Sequence, residues 1–167
     1  MKQLIYILAL SSLIACTAGL SNVPDEEKLA NAAQRFLDLL EDTQQQAATY
    51  PLDDDERYDW HFTPRERQGV PLKDMSEDQQ EAALQLMKIC LSEAGYESAQ
   101  NIRELENVLR YVENRPADDT HRDPMNYAFT IFGEPGAEQG WGWRVEGHHL
   151  SLHYTAVNNQ IVSATPT

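Results

Sequence analysis

The chain changes its hydrophobic period once, and that switch limits the folds open to it. From residue 24 to about 113, outside an irregular segment at 50–74, the apolar positions recur every three or four residues. From 127 onward they alternate, or run as short β-branched and aromatic stretches. Leu29, Ala33, Phe36, Leu37 and Leu40 mark one amphipathic helix to about Ala47. It is opened by Pro24-Asp25-Glu26-Glu27, with acids at the positive end of the helix dipole. Ser76-Glu77-Asp78-Gln79 is a capping box. Ala83, Leu84, Met87, Cys90, Leu91 and Ala94 follow as a buried stripe, ended by Gly95. A further helix is predicted from about Glu97 to Glu113, with Ile102, Leu105, Leu109 and Val112 inward. Glu106 borders that stripe, either facing water or partly buried against a cation. Strands are predicted at 127–132, 141–146, 149–157 and 160–165. The expected architecture is α+β: N-terminal helices packed on a C-terminal antiparallel β-meander.

The N-terminus stands outside this plan. Met1-Lys2-Gln3 precedes a run of eleven mainly apolar residues, Leu4 to Ile14. A bilayer span takes about 20 residues, so the run has the length of a signal-peptide core instead. It ends in Leu13-Ile14-Ala15-Cys16, a bacterial lipobox pattern. Residues 1–15 are expected to be a lipoprotein signal peptide, 16–23 a tether lipid-anchored through Cys16, and 24–167 a single domain. An ordinary signal peptide cut elsewhere is the alternative. Thr17, where Asp would retain the protein in the inner membrane, favours the outer membrane. The expected location is the cell envelope, periplasm-facing or at the outer membrane.

Charge narrows the partners. Asp and Glu total 27 against 13 Lys and Arg, a net charge of −14. Such a chain repels nucleic acid phosphates, so the expected partner is the membrane through lipidated Cys16, and no nucleic acid. Two cysteines do not make a disulfide framework. Cys90 lies in an apolar helical stretch with only Lys88 nearby, and reads as a buried structural thiol rather than a nucleophile.

The segment 50–74 has no sustained period but carries Tyr58, Trp60, His61 and Phe62. A loop of this length in a small domain is functional or packs by its own side chains. Its acidic run Asp53-Asp54-Asp55-Glu56 reads as a solvated face. It lacks the glycine and the final glutamate of a calcium loop. Two hairpins set the expected sheet register. A turn with Gly147 first in the loop pairs Val145 with Leu150, Trp143 with Leu152 and Trp141 with Tyr154 on an apolar face. The opposite face then carries Glu146 with His149, Arg144 with Ser151, and Gly142 leaving space over His153. Alternation alone favours a solvated polar face over a site.

Arg144, Glu146, His148 and His149 are nevertheless the candidate catalytic residues. A histidine serves as base or ligand, Glu146 or Glu106 orients it, and Arg144 clamps an anion. The residues leave the cofactor, and whether a metal is bound, open. His149 and His153 are about 13 Å apart along a strand and cannot share an ion. A metal would need His61, His121, Glu106 or chain beyond Thr167. There is no H-E-x-x-H, no glycine-rich phosphate loop and no G-x-S-x-G elbow.

Several of these segments resemble one bacterial family. They are Trp60-His61-Phe62-Thr63-Pro64 with Arg67 and Gly69; Leu91-Ser92-Glu93-Ala94-Gly95-Tyr96; Arg122-Asp123-Pro124 with Tyr127; and Ile131-Phe132-Gly133. The most specific is Trp141-Gly142-Trp143-Arg144-Val145-Glu146-Gly147-His148-His149-Leu150-Ser151-Leu152, followed by Ser163-Ala164-Thr165-Pro166. From about Ala32 to the end the chain is similar to the domain of unknown function 3500. The resemblance implies export and supplies no substrate or catalytic role. Members look much longer, continuing past the Thr-Pro motif into a part with more histidines. This implies that the chain is the N-terminal part of a longer domain, a fragment or a natural half. Two functions are carried forward: an exported metal-assisted hydrolase with a His/Glu/Arg site, and a lipid-anchored binding or structural protein. The second rests on Trp60, Phe62, Trp141 and Trp143 as core or as a ligand platform.

Overall fold

Local capping decides where the helices of this chain begin and end. The computed structural model describes residues 25–158 and 160–166. Cys16 and the expected signal peptide lie outside them. Helix α1 (Glu26–Leu39) is capped by Asp25, which accepts from the Glu27 N–H. The single helix expected to Ala47 is two helices. The chain turns extended at Leu40, and Glu41 restarts it as α2 (Asp42–Ala48) through a capping box with Gln44. Gln45 donates back to the Leu37 carbonyl at 2.9 Å, satisfying the end of α1 that the break exposes.

Helix α3 (Glu77–Cys90) starts at the expected Ser76–Gln79 box. It ends five residues before Gly95. Ser92 caps α4 (Glu93–Val112), and its Oγ accepts from the Gly95 N–H at 3.1 Å, so Gly95 opens a helix rather than closing one. Helix α4 also turns a different face inward. Ala99, Arg103 and Glu106 are buried, while Leu105 is 51% and Val112 64% exposed. The reason is what α4 covers. It lies on the 117–127 loop, whose carbonyls need donors: Arg103 Nε reaches Pro124 O at 3.0 Å and Arg110 Nε reaches Arg122 O at 3.0 Å. No described helix is long and apolar enough to cross a membrane.

The sheet has the expected meander, β3 (Ala128–Phe132), β4 (Trp141–Gly147), β5 (Leu150–Val157) and β6 (Gln160–Pro166), all antiparallel. Two short strands cover the outer edge of β3. β1 (Thr49–Tyr50) pairs with it in parallel at one end, and β2 (Val70–Pro71) antiparallel at the other. The fold is α+β, with the helices mostly N-terminal to the sheet.

The register of β4 on β5 differs from expectation by two residues. Val145 pairs with Leu152, Trp143 with Tyr154, Trp141 with Ala156, and Gly147 with Leu150. The loop is therefore His148-His149, and the left-handed residue is His149 at φ 57° rather than Gly147. Gly147 is held in the strand by close contact: a Cβ there would lie 2.1 Å from the Tyr127 ring. A shift of two leaves every side chain on its expected face. Trp141, Trp143 and Val145 do form an apolar face with Leu150, Leu152 and Tyr154. Leu29, Phe36, Leu86 and Met87 of α1 and α3 belong to the same core. Trp143 lies between Phe129 and Tyr154 in near-parallel stacks, with centroids at 6.3 and 5.2 Å.

The opposite face is not solvated, contrary to the alternation argument. Every residue of β4 is buried. The 51–69 loop folds over this face, which is why the loop carries no period of its own. Gly142 sits opposite Thr155 rather than His153, and a Cβ on it would meet the Tyr154 carbonyl at 2.4 Å, so the space above it is filled.

Candidate functional site

Arg144 and Glu146 project from β4 into the covered face. Each side chain is about 1% exposed. Arg144 Nη1 donates to Glu56 O at 2.6 Å, Nη2 pairs with the Glu56 carboxylate, and Nε lies 3.2 Å from Glu146 Oε2. Glu146 Oε1 accepts from Arg67 Nε at 2.7 Å and from the His61 N–H at 2.8 Å. Arg67 spends its remaining donors on the carbonyls of Arg65, His61, Thr63 and Gly147, at 2.6 to 3.1 Å. A glutamate between two arginines thus fastens the loop to the sheet. Arg144, the expected anion clamp, is engaged by Glu56 and Glu146. His153, under the same loop, lies 2.9 Å from Ser151 Oγ. Burial, with Arg144 adding, pushes its imidazole down to about 4, so it is neutral at physiological pH.

The β4–β5 turn carries His148 and His149 out of this network to a second one. Glu106, 2% exposed on α4, meets His148 Nδ1 through Oε1. Its other oxygen is 3.7 Å from Arg122 Nη1. Arg122 is held in turn by Glu113, at 2.6 and 3.1 Å, and Arg115 Nε binds the same carboxylate at 2.5 Å. Arg122 first and Arg115 second pull Glu113 down to about 2. The Tyr127 hydroxyl donates to the His148 carbonyl at 2.9 Å, and burial raises its phenol so that it stays a donor. His149 is exposed. Its ring lies 4.0 Å from that of His148 and stacks on Phe62 at 6.4 Å, while its N–H donates to Phe62 O.

Nδ1 also lies 3.3 Å from Arg122 Nη1, which only donates, but the Glu106 carboxylate, which only accepts, makes the closer contact and sets the proton of a neutral His148 on Nδ1 and the lone pair on Nε2. Among the described residues Nε2 has no hydrogen-bond partner. The side chain is 12% exposed, at a turn. This is an oriented imidazole with an available basic nitrogen, the arrangement general-base chemistry requires.

The four candidate residues therefore divide into a buried pair and an outward pair. Arg67 ties the two together by binding both Glu146 and the Gly147 carbonyl, and the adjacent His61 and Phe62 backbone bonds Glu146 and His149. Sequence reasoning offered Glu106 as an orienting carboxylate, but missed Arg122, Glu113 and Tyr127, which converge from separate elements and leave no periodic signal. His61 pairs with Asp59 at 2.8 Å beside a cavity of about 360 Å³ bordered by Glu56 and Arg67. Trp141 and Trp143 are core, whereas Trp60 and Phe62 are exposed. Cys90 is buried, and burial raises its thiol to about 12, as a structural residue requires. Among the described residues no three His, Cys, Asp or Glu side chains are grouped to hold a metal ion.

A family model described as Protein of unknown function (DUF3500) matches residues 24–167. The chain belongs to that family. The match includes both networks and the turn between them. No curated protein and no solved structure matches the chain.

Proposed function

We propose that this family member is a lipid-anchored envelope hydrolase whose general base is His148, oriented by Glu106. The observation that carries the proposal is the Glu106–His148 pair, with Nε2 unpartnered among the described residues. In this reading Nε2 takes a proton from water as the water oxygen attacks an acyl carbon, and the imidazolium returns that proton to the departing group as its bond to the acyl carbon breaks. Glu106 and Arg122 hold the imidazole through the charge change, and His149 and Phe62 wall the approach. Arg144 and Glu146 hold the loop that carries Phe62. The left-handed backbone at His149 supports a functional turn. Glycine or asparagine adopts φ 57° at lower cost, yet a histidine stands there. A metal-assisted form would draw on His148 and His149 together with donors outside the described residues. The lipobox at Cys16 is the ground for the anchor.

Hydrolysis of p-nitrophenyl acetate tests the base directly. His148→Gln is expected to lower the rate by about 10²–10⁴-fold, and Glu106→Gln by a smaller factor, with both variants folded by circular dichroism. Equal rates in the wild type and both variants would refute it. Exposed Trp60 and Phe62 favour a second reading, a binding protein without catalysis. That reading predicts no dependence of turnover on His148.

A further inference from the structure

Acids outnumber bases two to one in this chain, so most of its cations are found against a carboxylate or a ring. Arg67, Arg115, Arg122, Arg144 and Lys28 are in ion pairs. Arg65 and Lys73 are not: neither has an ion pair among the described residues. Both nevertheless border one cleft of about 210 Å³, with His121 beside them and Thr120 and Asn126 completing the wall. Glu66 is the one acid in the lining. Arg65 Nε donates to the Glu66 carbonyl at 3.3 Å, so two cations of a chain of net charge −14 border one cleft with no ion pair among the described residues.

The cleft is also built. Its wall at Lys73 is pinned to the 117–127 loop by Lys73 N–H to Met125 O at 2.9 Å and Leu72 N–H to Tyr127 O at 3.1 Å. Arg67 fixes the backbone of Arg65 through the Arg65 carbonyl at 2.9 Å. The Asn126 N–H donates to Asp123 O at 3.0 Å, and half-buried Asn126 borders the cleft. Two cationic side chains beside hydroxyl, amide and imidazole groups suit a compact oxyanion.

We infer that the cleft between Arg65, Lys73 and His121 binds the oxyanion group, phosphate or carboxylate, of a small molecule. The inference stands apart from the role of His148. The test is titration of the ¹⁵N-labelled domain with inorganic phosphate, and separately with acetate, at low ionic strength. Saturable amide shifts are expected at Thr120, His121 and Asn126. Lys73→Gln and Arg65→Gln should each weaken binding by about five- to tenfold. Both positions are exposed, so the variants keep the fold. Lys88→Gln, whose ammonium lies over Tyr96, should change nothing. Saturation by phosphate alone or by acetate alone supports the site and names the group. No saturation by either overturns the inference, as do shifts spread over all surface cations and unchanged in the variants.

Discussion

Replacing Arg67 with methionine removes the pin between loop and sheet while keeping most of the side chain's bulk. Glu146 would keep a carboxylate at 1% exposure with only Arg144 at 3.2 Å and the His61 N–H to balance it. The carbonyls of His61, Thr63 and Gly147 would each lose a donor. Breaking a buried ion pair from one side costs about 3–5 kcal/mol, because the remaining charge is left in a poor medium. Domains are stable by about 5–15 kcal/mol, so the loss takes a large share. Urea unfolding should show the midpoint falling by that amount at unchanged slope. A companion Arg67→Met/Glu146→Leu variant removes both charges and should recover part of the loss, since two apolar groups leave no stranded ion. A cost below about 1 kcal/mol for Arg67→Met would refute the reasoning. It would mean that the pair is solvated and that the loop is held by something else.

Two further outcomes follow from buried groups. His153 is held neutral by burial, so the unfolded chain takes up its proton near pH 6.5 while the folded one resists to about 4. Its stabilising contribution is full above pH 6.5 and is lost as pH falls to about 4. The total is about 1–2 kcal/mol after allowance for its partly exposed ring. His153→Gln should flatten the stability curve in that window relative to wild type, and parallel curves would contradict the assignment. Gly147→Ala would put a methyl group 2.1 Å from the Tyr127 ring and should cost about 1–3 kcal/mol. It should also displace the hydroxyl that holds the His148 carbonyl, seen as lost thermal stability together with shifted imidazole resonances.

Local rules were legible where the chain itself satisfies its caps. The Ser76–Gln79 box and the strand at β4 read directly from residue type. Faces survived even where register did not, because a two-residue slip conserves them. Non-local demand was invisible. The stripe Ile102, Leu105, Leu109 and Val112 is the most apolar side of α4, yet the loop beneath the helix needs arginine donors, and the histidine turn needs a carboxylate. Ser92 was passed over because Gly95 looked like a stop signal. The second sheet face looked solvated because its cover, the 51–69 loop, has no period and is tied down by arginine-to-carbonyl bonds that spacing does not reveal. Arg122 and Glu113 join the candidate site only through folding; Arg122 stood in a family-like segment that carried no role, and no local pattern marked Glu113.

The central claim is that Glu106 fixes His148 with its proton on Nδ1 and its lone pair on Nε2. Long-range ¹H–¹⁵N correlation of the imidazole in the folded chain at neutral pH reports this directly. The expected spectrum shows a protonated Nδ1 and an unprotonated Nε2 for His148, with the preference lost in Glu106→Gln. A protonated Nε2 in the wild type, or a spectrum unchanged by Glu106→Gln, would contradict the account and with it the assignment of His148 as base.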